Sequence, residues 1–219
     1  MLQRGGWRLG SAEMTAADFL GTLPVERRLA LAYAPPRAKG LWLGLFALDA
    51  RLGTIVRGAS EPMLTQIKLA WWRDELARPQ AQRRRGEPLL ELLDQWGDDA
   101  ACLAALVDGW EMLLGDVLLD HAAAGQYADE RARACLGLAG RLGVPGNAIS
   151  SAARGWALAD LHLVLAEPAK YEWPRVKLPR EMRPLQVLYG LAAHNRGAGP
   201  LIPGPIAGLR AVRLGLLGI

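Results

Sequence analysis

A chain of 219 residues, 51% apolar and with a formal charge of +4, has enough apolar mass for one full core. It is expected to form a single domain over residues 15–219 behind a tail of residues 1–14, unless Met14 is the true start. No apolar run reaches the roughly 18 residues that a membrane-spanning helix requires, and the opening MLQRGGWRLGSAEM lacks the apolar centre of a signal peptide. The charge, with 22 Arg against 4 Lys, suits an anionic lipid surface, a diphosphate ligand or a plain solvated surface equally; no nucleic-acid partner is expected.

Helical periodicity runs through nearly the whole chain, without sustained period-two alternation. The spacing predicts helices over Pro24–Ala34, Ala38–Arg57, Glu61–Ala77, Asp98–Ala123, Asp129–Leu142, Asn147–Ala166, Arg183–His194 and Ile206–Leu217. Pro and Gly punctuate them at Pro35-Pro36, Arg78-Pro79, Gly143–Gly146 and Gly197–Gly204. There is no repeat of fixed period, no Gly-rich phosphate loop and no interdomain linker. The expected fold class is all-α, a single-domain helical bundle. Cys102 and Cys135 stand in no metal or redox spacing and read as buried thiols of a reducing compartment.

On the helix predicted for Ala38–Arg57, Leu41, Trp42, Leu45, Phe46, Leu48, Leu52, Ile55 and Val56 fill one apolar arc. Asp49 falls inside that arc, where a carboxylate has to be paired, hydrogen-bonded or protonated. The next helix, in EPMLTQIKLAWWRDEL, shows two arcs: Met63, Leu64, Ile67 and Trp71 on one side, Leu69, Trp72 and Leu76 on another. That pattern predicts packing against neighbours on two sides, with Ser60 capping the first turn and the tryptophans either in the core or walling an apolar pocket. The loop RPQAQRRRGEP that follows is polar and basic and reads first as a solvated connection.

Within Asp98–Ala123, Asp108, Glu111, Asp116 and Asp120 stand opposite a clean apolar arc of Leu106, Val107, Trp110, Leu113, Leu114 and Val117, as expected for a solvated face. Asp98 and Asp99 read as cap and first-turn charges. On Asn147–Ala166 the apolar coverage is nearly complete, yet Asp160 sits between Trp156 and Val164, with His162 on the small-residue side. The last segment, IAGLRAVRLGLLGI, either closes the bundle or lies on an anionic membrane by its apolar face.

PVERRLALAYAPPRAKGLWLGLFALDARLG followed by EPMLTQIKLAWWRDEL resembles the squalene/phytoene synthase family, as does GWALADLHLVLAEP leading into KLPREM. The resemblance spans about Ala17 to the C-terminus and is nearest to a divergent branch that includes the mitochondrial complex I assembly factor 6. It implies an isoprenoid-synthase bundle around a central cavity. It also implies head-to-head joining of prenyl diphosphates, with Mg²⁺ held by two aspartate-rich motifs.

The positions matching those motifs carry no acid: Gly53 and Thr54 stand at the first, Leu165, Ala166 and Lys170 at the second. Without carboxylates to hold Mg²⁺, the charge on a departing diphosphate loses the electrostatic stabilisation that is usually the largest catalytic contribution. The expected reading is a non-catalytic binding or assembly protein that retains an isoprenoid or lipid pocket. Its cofactor is then none, its partner a lipid, a membrane surface or a protein, and its location cytoplasmic at the periphery of the inner membrane. The alternative is an active prenyl-diphosphate transferase with non-standard ligands. In either case Asp49 and Asp160 are the candidate reactive pair, converging on a remnant of the cavity, with Tyr33, Arg37, Trp71 and His162 as candidate pocket lining. Otherwise each acid pairs with a nearby Arg and holds helices together.

Overall fold

The computed structural model of the chain describes residues 14–115, 120–161, 171–196, 201 and 205–217, the last stretch by its backbone alone at 205–209 and 217. Most of those residues are helical, none is in a strand, and they pack as one all-α bundle. In chain order come α1 (Ala16–Thr22), α2 (Val25–Ala32), α3 (Pro36–Arg57), α4 (Pro62–Ala77), α5 (Pro88–Leu92), α6 (Ala104–Glu111), α7 (His121–Leu142), α8 (Ile149–Asp160), α9 (Arg183–His194) and α10 (Pro205–Leu217). A 3-10 segment, Leu93–Leu103, joins α5 to α6.

The long helix α3 is the axis. It packs against α1, α2, α4, α5, α6 and α7, and Trp42, Leu45, Phe46, Leu48, Asp49 and Leu52 on it have no exposed surface. Its apolar arc explains this directly, because burying each large apolar side chain is worth about 1.5–3 kcal/mol. Phe46 stacks 5.1 Å from Trp42 and meets the edge of Trp156 on α8 at 5.8 Å. These three buried rings fill the space between α3 and α8.

Four local expectations need correction. The predicted helix Asp98–Ala123 is not one helix: α6 ends at Glu111, and Gly115 takes φ +102°. α7 begins at His121, earlier than predicted, because the Asp120 carboxylate accepts the Ala123 N–H at 2.7 Å and caps it. The short helix α1, set by the reciprocal capping box of Thr15 and Asp18, was not predicted. Finally, Ser60 does not cap α4; Glu61 is the N-cap residue and Pro62 the first helical one.

α4 also packs on one side rather than two. Thr65, Leu69, Trp72, Glu75 and Leu76 are buried, whereas Met63 is 74% exposed, Ile67 59% and Leu64 50%. Arg73, on α4, reaches α6, where Asp108 at 2.8 Å and Glu111 at 2.5 Å hold its guanidinium. Those two acids therefore form a helix–helix clamp and not the free solvated face their wheel position suggested. Asp116 lies outside the described residues.

α10 closes the bundle against α9 and α2. Two glycines permit the approach: a Cβ on Gly190 would stand 2.5 Å from Leu214, and one on Gly215 would stand 2.2 Å from the Tyr33 ring. Among the described residues no helix is long and apolar enough to cross a membrane.

Candidate functional site

Four charged side chains from four helices meet at the centre. α2 supplies Arg27, α3 Asp49, α7 Arg131 and α8 Asp160. Arg131 donates through Nη2 to both oxygens of Asp49, at 3.1 and 2.8 Å, and through Nη1 to Asp160 Oδ2 at 2.6 Å. Arg27 bridges the same two acids. Its Nη2 donates to Asp160 Oδ2 at 3.1 Å, and its Nη1 lies 2.7 Å from Asp49 Oδ2 as an ion pair off the hydrogen-bonding direction. Two cations and two anions thus close a ring of zero net charge.

Aromatic rings wall this quartet. The Trp156 ring lies 4.3 Å from the Arg131 guanidinium carbon and 5.5 Å from that of Arg27, and the Tyr127 ring lies 4.8 Å from Arg131. The Trp110 indole N–H donates to Asp49 Oδ1 at 2.8 Å. Asp49 and Arg131 are shut off from solvent, and Asp160 keeps a small opening.

The electrostatics follow from this enclosure. Burial pushes the Asp49 carboxyl up, but Arg131 and Arg27 beside it, with the Trp110 hydrogen bond, hold it below its ordinary value. Burial likewise works against the charge on Arg131, and the facing Asp49, Tyr127 and Asp160 overcome it and raise its pKa. The Tyr127 phenol, fully buried, is pushed well above its ordinary value. Asp49 and Arg131 therefore keep their charges at neutral pH, each held by its opposite.

Asp49 and Asp160 converge, and what they converge on is a pair of guanidiniums. The other predicted pocket residues are placed elsewhere. Tyr33 is half-buried beneath Gly215 of α10. Arg37 is exposed and pairs with Glu181, in the 3-10 turn Arg180–Met182. Trp71 is half-buried on the outer side of α4, edge-on to Trp72 at 4.9 Å. His162, Leu165, Ala166 and Lys170 lie outside the described residues.

Gly53, at the position of the first implied motif, is buried on α3. A Cβ there would lie 2.8 Å from Trp110 Cζ2 and 2.9 Å from Arg57 Nη1. The indole that bonds Asp49 occupies the space an acid at residue 53 would need. Thr54 is exposed, and its hydroxyl donates to the Ala50 carbonyl at 2.9 Å. Among the described residues no three His, Cys, Asp or Glu side chains gather as a metal site.

An arginine partner for each acid was one of the expected alternatives, but Arg27 and Arg131 were not singled out, although their signal was present. Arg27 shares a face with Ala30, Leu31 and Ala34, and Arg131 with Tyr127, Ala128, Cys135 and Leu138, all buried. A charge on an apolar stripe marks a buried partner whichever its sign. Compared with family models, with curated proteins and with solved structures, the chain matches none.

Proposed function

We propose that this chain is a non-catalytic member of the squalene/phytoene synthase fold, a binding or assembly protein rather than a prenyl transferase. One observation carries the reading: Asp49 and Asp160, the two core acids, are both engaged by Arg27 and Arg131. A carboxylate pair that faces guanidiniums within hydrogen-bonding distance does not fit Mg²⁺, because the cations already there repel a divalent ion and take up the lone pairs it needs. The Trp110 ring against Gly53 supports the same conclusion from the other side, since it fills the place of an acidic motif. The quartet then acts as an internal clasp that fixes α2, α3, α7 and α8 in register.

The test is incubation of the protein with farnesyl or geranylgeranyl diphosphate and Mg²⁺. No diphosphate release is expected. Release that disappears in Asp49→Asn, with the fold intact by circular dichroism, would instead establish a prenyl-diphosphate transferase with non-standard ligands. A bound isoprenoid lipid found by native mass spectrometry without turnover would add a carrier role to the binding reading.

A further inference from the structure

Charge is distributed very unevenly along this chain. After Glu181 there is no acidic residue at all, whereas Arg183, Arg196, Arg210 and Arg213 follow it. Glu181 itself is taken up by Arg37. The residues beyond it form α9 and α10, and α10 packs on α9 and on α2, whose one acid is Glu26. Of the two cations on α2, Arg27 is committed to the quartet and Arg28 is exposed.

Contacts at three points settle how α10 lies. Leu214 covers Gly190 of α9, and Gly215 faces the Tyr33 ring at the end of α2. Arg210 Nη1 donates to His194 Nδ1 at 3.1 Å, so α10 runs antiparallel to α9. Ala211, Leu214 and Gly215 are buried. At about 100° per residue the other side chains described on this helix follow around it in the order Val212, Leu216, Arg213 and Arg210. All four are exposed, Leu216 at 68% and Val212 at 41%. The apolar pair thus borders α2, and the arginine pair borders α9. Arg196, two residues beyond His194, is exposed as well.

The bare arc of α4 lacks this character. Asp74 lies on it with Met63, Leu64 and Ile67, so an acid interrupts its apolar residues. Between Val212 and Leu216 and the arginines of α10 no acid intervenes.

We propose that this edge of α10 docks on an anionic lipid bilayer, Val212 and Leu216 entering the headgroup boundary and Arg210 and Arg213 meeting lipid phosphates. Charge complementarity selects that partner, because the cations of α9 and α10 have no acid of their own segment to answer them. The apolar pair narrows the choice further. Nucleic acid would meet the arginines and leave Val212 and Leu216 in water. A specific protein partner would need a groove shaped to one convex helix edge. A bilayer offers negative charge and apolar chains at a single surface and needs no groove. Docking of this kind requires neither catalysis nor its loss, so vesicle binding and diphosphate release are read independently.

The full-length protein is sedimented with vesicles of phosphatidylcholine alone and of phosphatidylcholine mixed with phosphatidylglycerol, at low and high salt. Binding is expected on the mixed vesicles, weakening with salt. Leu216→Asp should weaken it at least tenfold. Arg210→Gln with Arg213→Gln should weaken it roughly thirtyfold, about a factor of five for each cation. Both variants alter exposed side chains, so an unchanged melting temperature confirms the fold. Ile67→Asp, on the bare arc of α4, should bind as the parent does. The proposal fails if no vesicle binds, if neutral vesicles bind equally, or if Ile67→Asp abolishes binding while Leu216→Asp does not. Retention on immobilised polyglutamate without binding to any vesicle would overturn it in favour of an acidic protein. A dimer in light scattering that Leu216→Asp splits would overturn it in favour of a second copy.

Discussion

Arg131 donates to both oxygens of Asp49 across 82 residues of sequence, and neither side chain meets solvent. That pair is the pivot of the core. Each partner is harmless to stability only while the other is present, since a buried charge without its counterion carries its full desolvation cost.

Removing the cation should therefore be far worse than removing a typical surface arginine. Arg131→Leu is expected to cost about 3–5 kcal/mol, read as a lower urea midpoint. Arg131→Lys should recover little of it, because one ammonium cannot reproduce a fork that reaches Asp49 and Asp160 together. The double variant Arg131→Met with Asp49→Leu should be more stable than Arg131→Leu alone, because it leaves no stranded charge on Asp49.

Acid should loosen the protein through the same pair. Arg131 and Arg27 outweigh burial and hold the Asp49 carboxyl below its ordinary value of 3.8. As pH falls past that value the unfolded chain takes up the proton while the native one resists, so stability declines until the native pKa is also passed. Above it the stabilisation is present in full. Melting temperature followed from neutral pH downward should show this loss, and Asp49→Asn should flatten the acid limb from a lower plateau.

Placing an acid at residue 53, where the resemblance implies one, should not create diphosphate chemistry. Gly53→Asp places a Cβ 2.8 Å from the Trp110 ring. The ring is packed between Asp49 and Tyr127 and has little room to move. A cost of about 1–3 kcal/mol is expected from the overpacking. Diphosphate release with Mg²⁺ should stay at background in the variant.

Neither cysteine should behave as a reactive thiol. Burial pushes Cys102 up to about 11 and Cys135 up to about 12, so both remain protonated in mildly alkaline buffer. Labelling with a disulfide reagent should be slow for the folded protein and fast in denaturant, with Cys102 responding before Cys135 because it is only partly covered.

The C-terminal helix depends on a bare glycine. Gly215→Val would drive a side chain into the Tyr33 ring, which stands 2.2 Å from the position of a Cβ. Limited trypsin cleavage at Arg210 and Arg213 should then accelerate, while the quartet helices keep their hydrogen-exchange protection.

Helical periodicity alone was enough for the all-α class and for several boundaries, α9 to the residue at both ends. It was also enough to place Asp49 in the core, because a single wheel position on a strongly apolar arc leaves few alternatives. It failed at Asp98–Ala123, where the chain leaves the helix at Glu111 and Gly115 turns it, and the wheel continues regardless. It could not say which acids of α6 were free, since Arg73, which binds them, comes from another helix.

Local sequence thus determined which faces were apolar and where a lone charge interrupted them, for both follow from a pattern repeating every few residues. Only the tertiary structure decided what met them: that Asp49 and Asp160 share Arg27 and Arg131, that Trp110 fills the space beside Gly53, and that one arc of α4 is covered and the other left bare. Those outcomes depend on how distant helices cross, and no short-range spacing in the chain encodes a crossing.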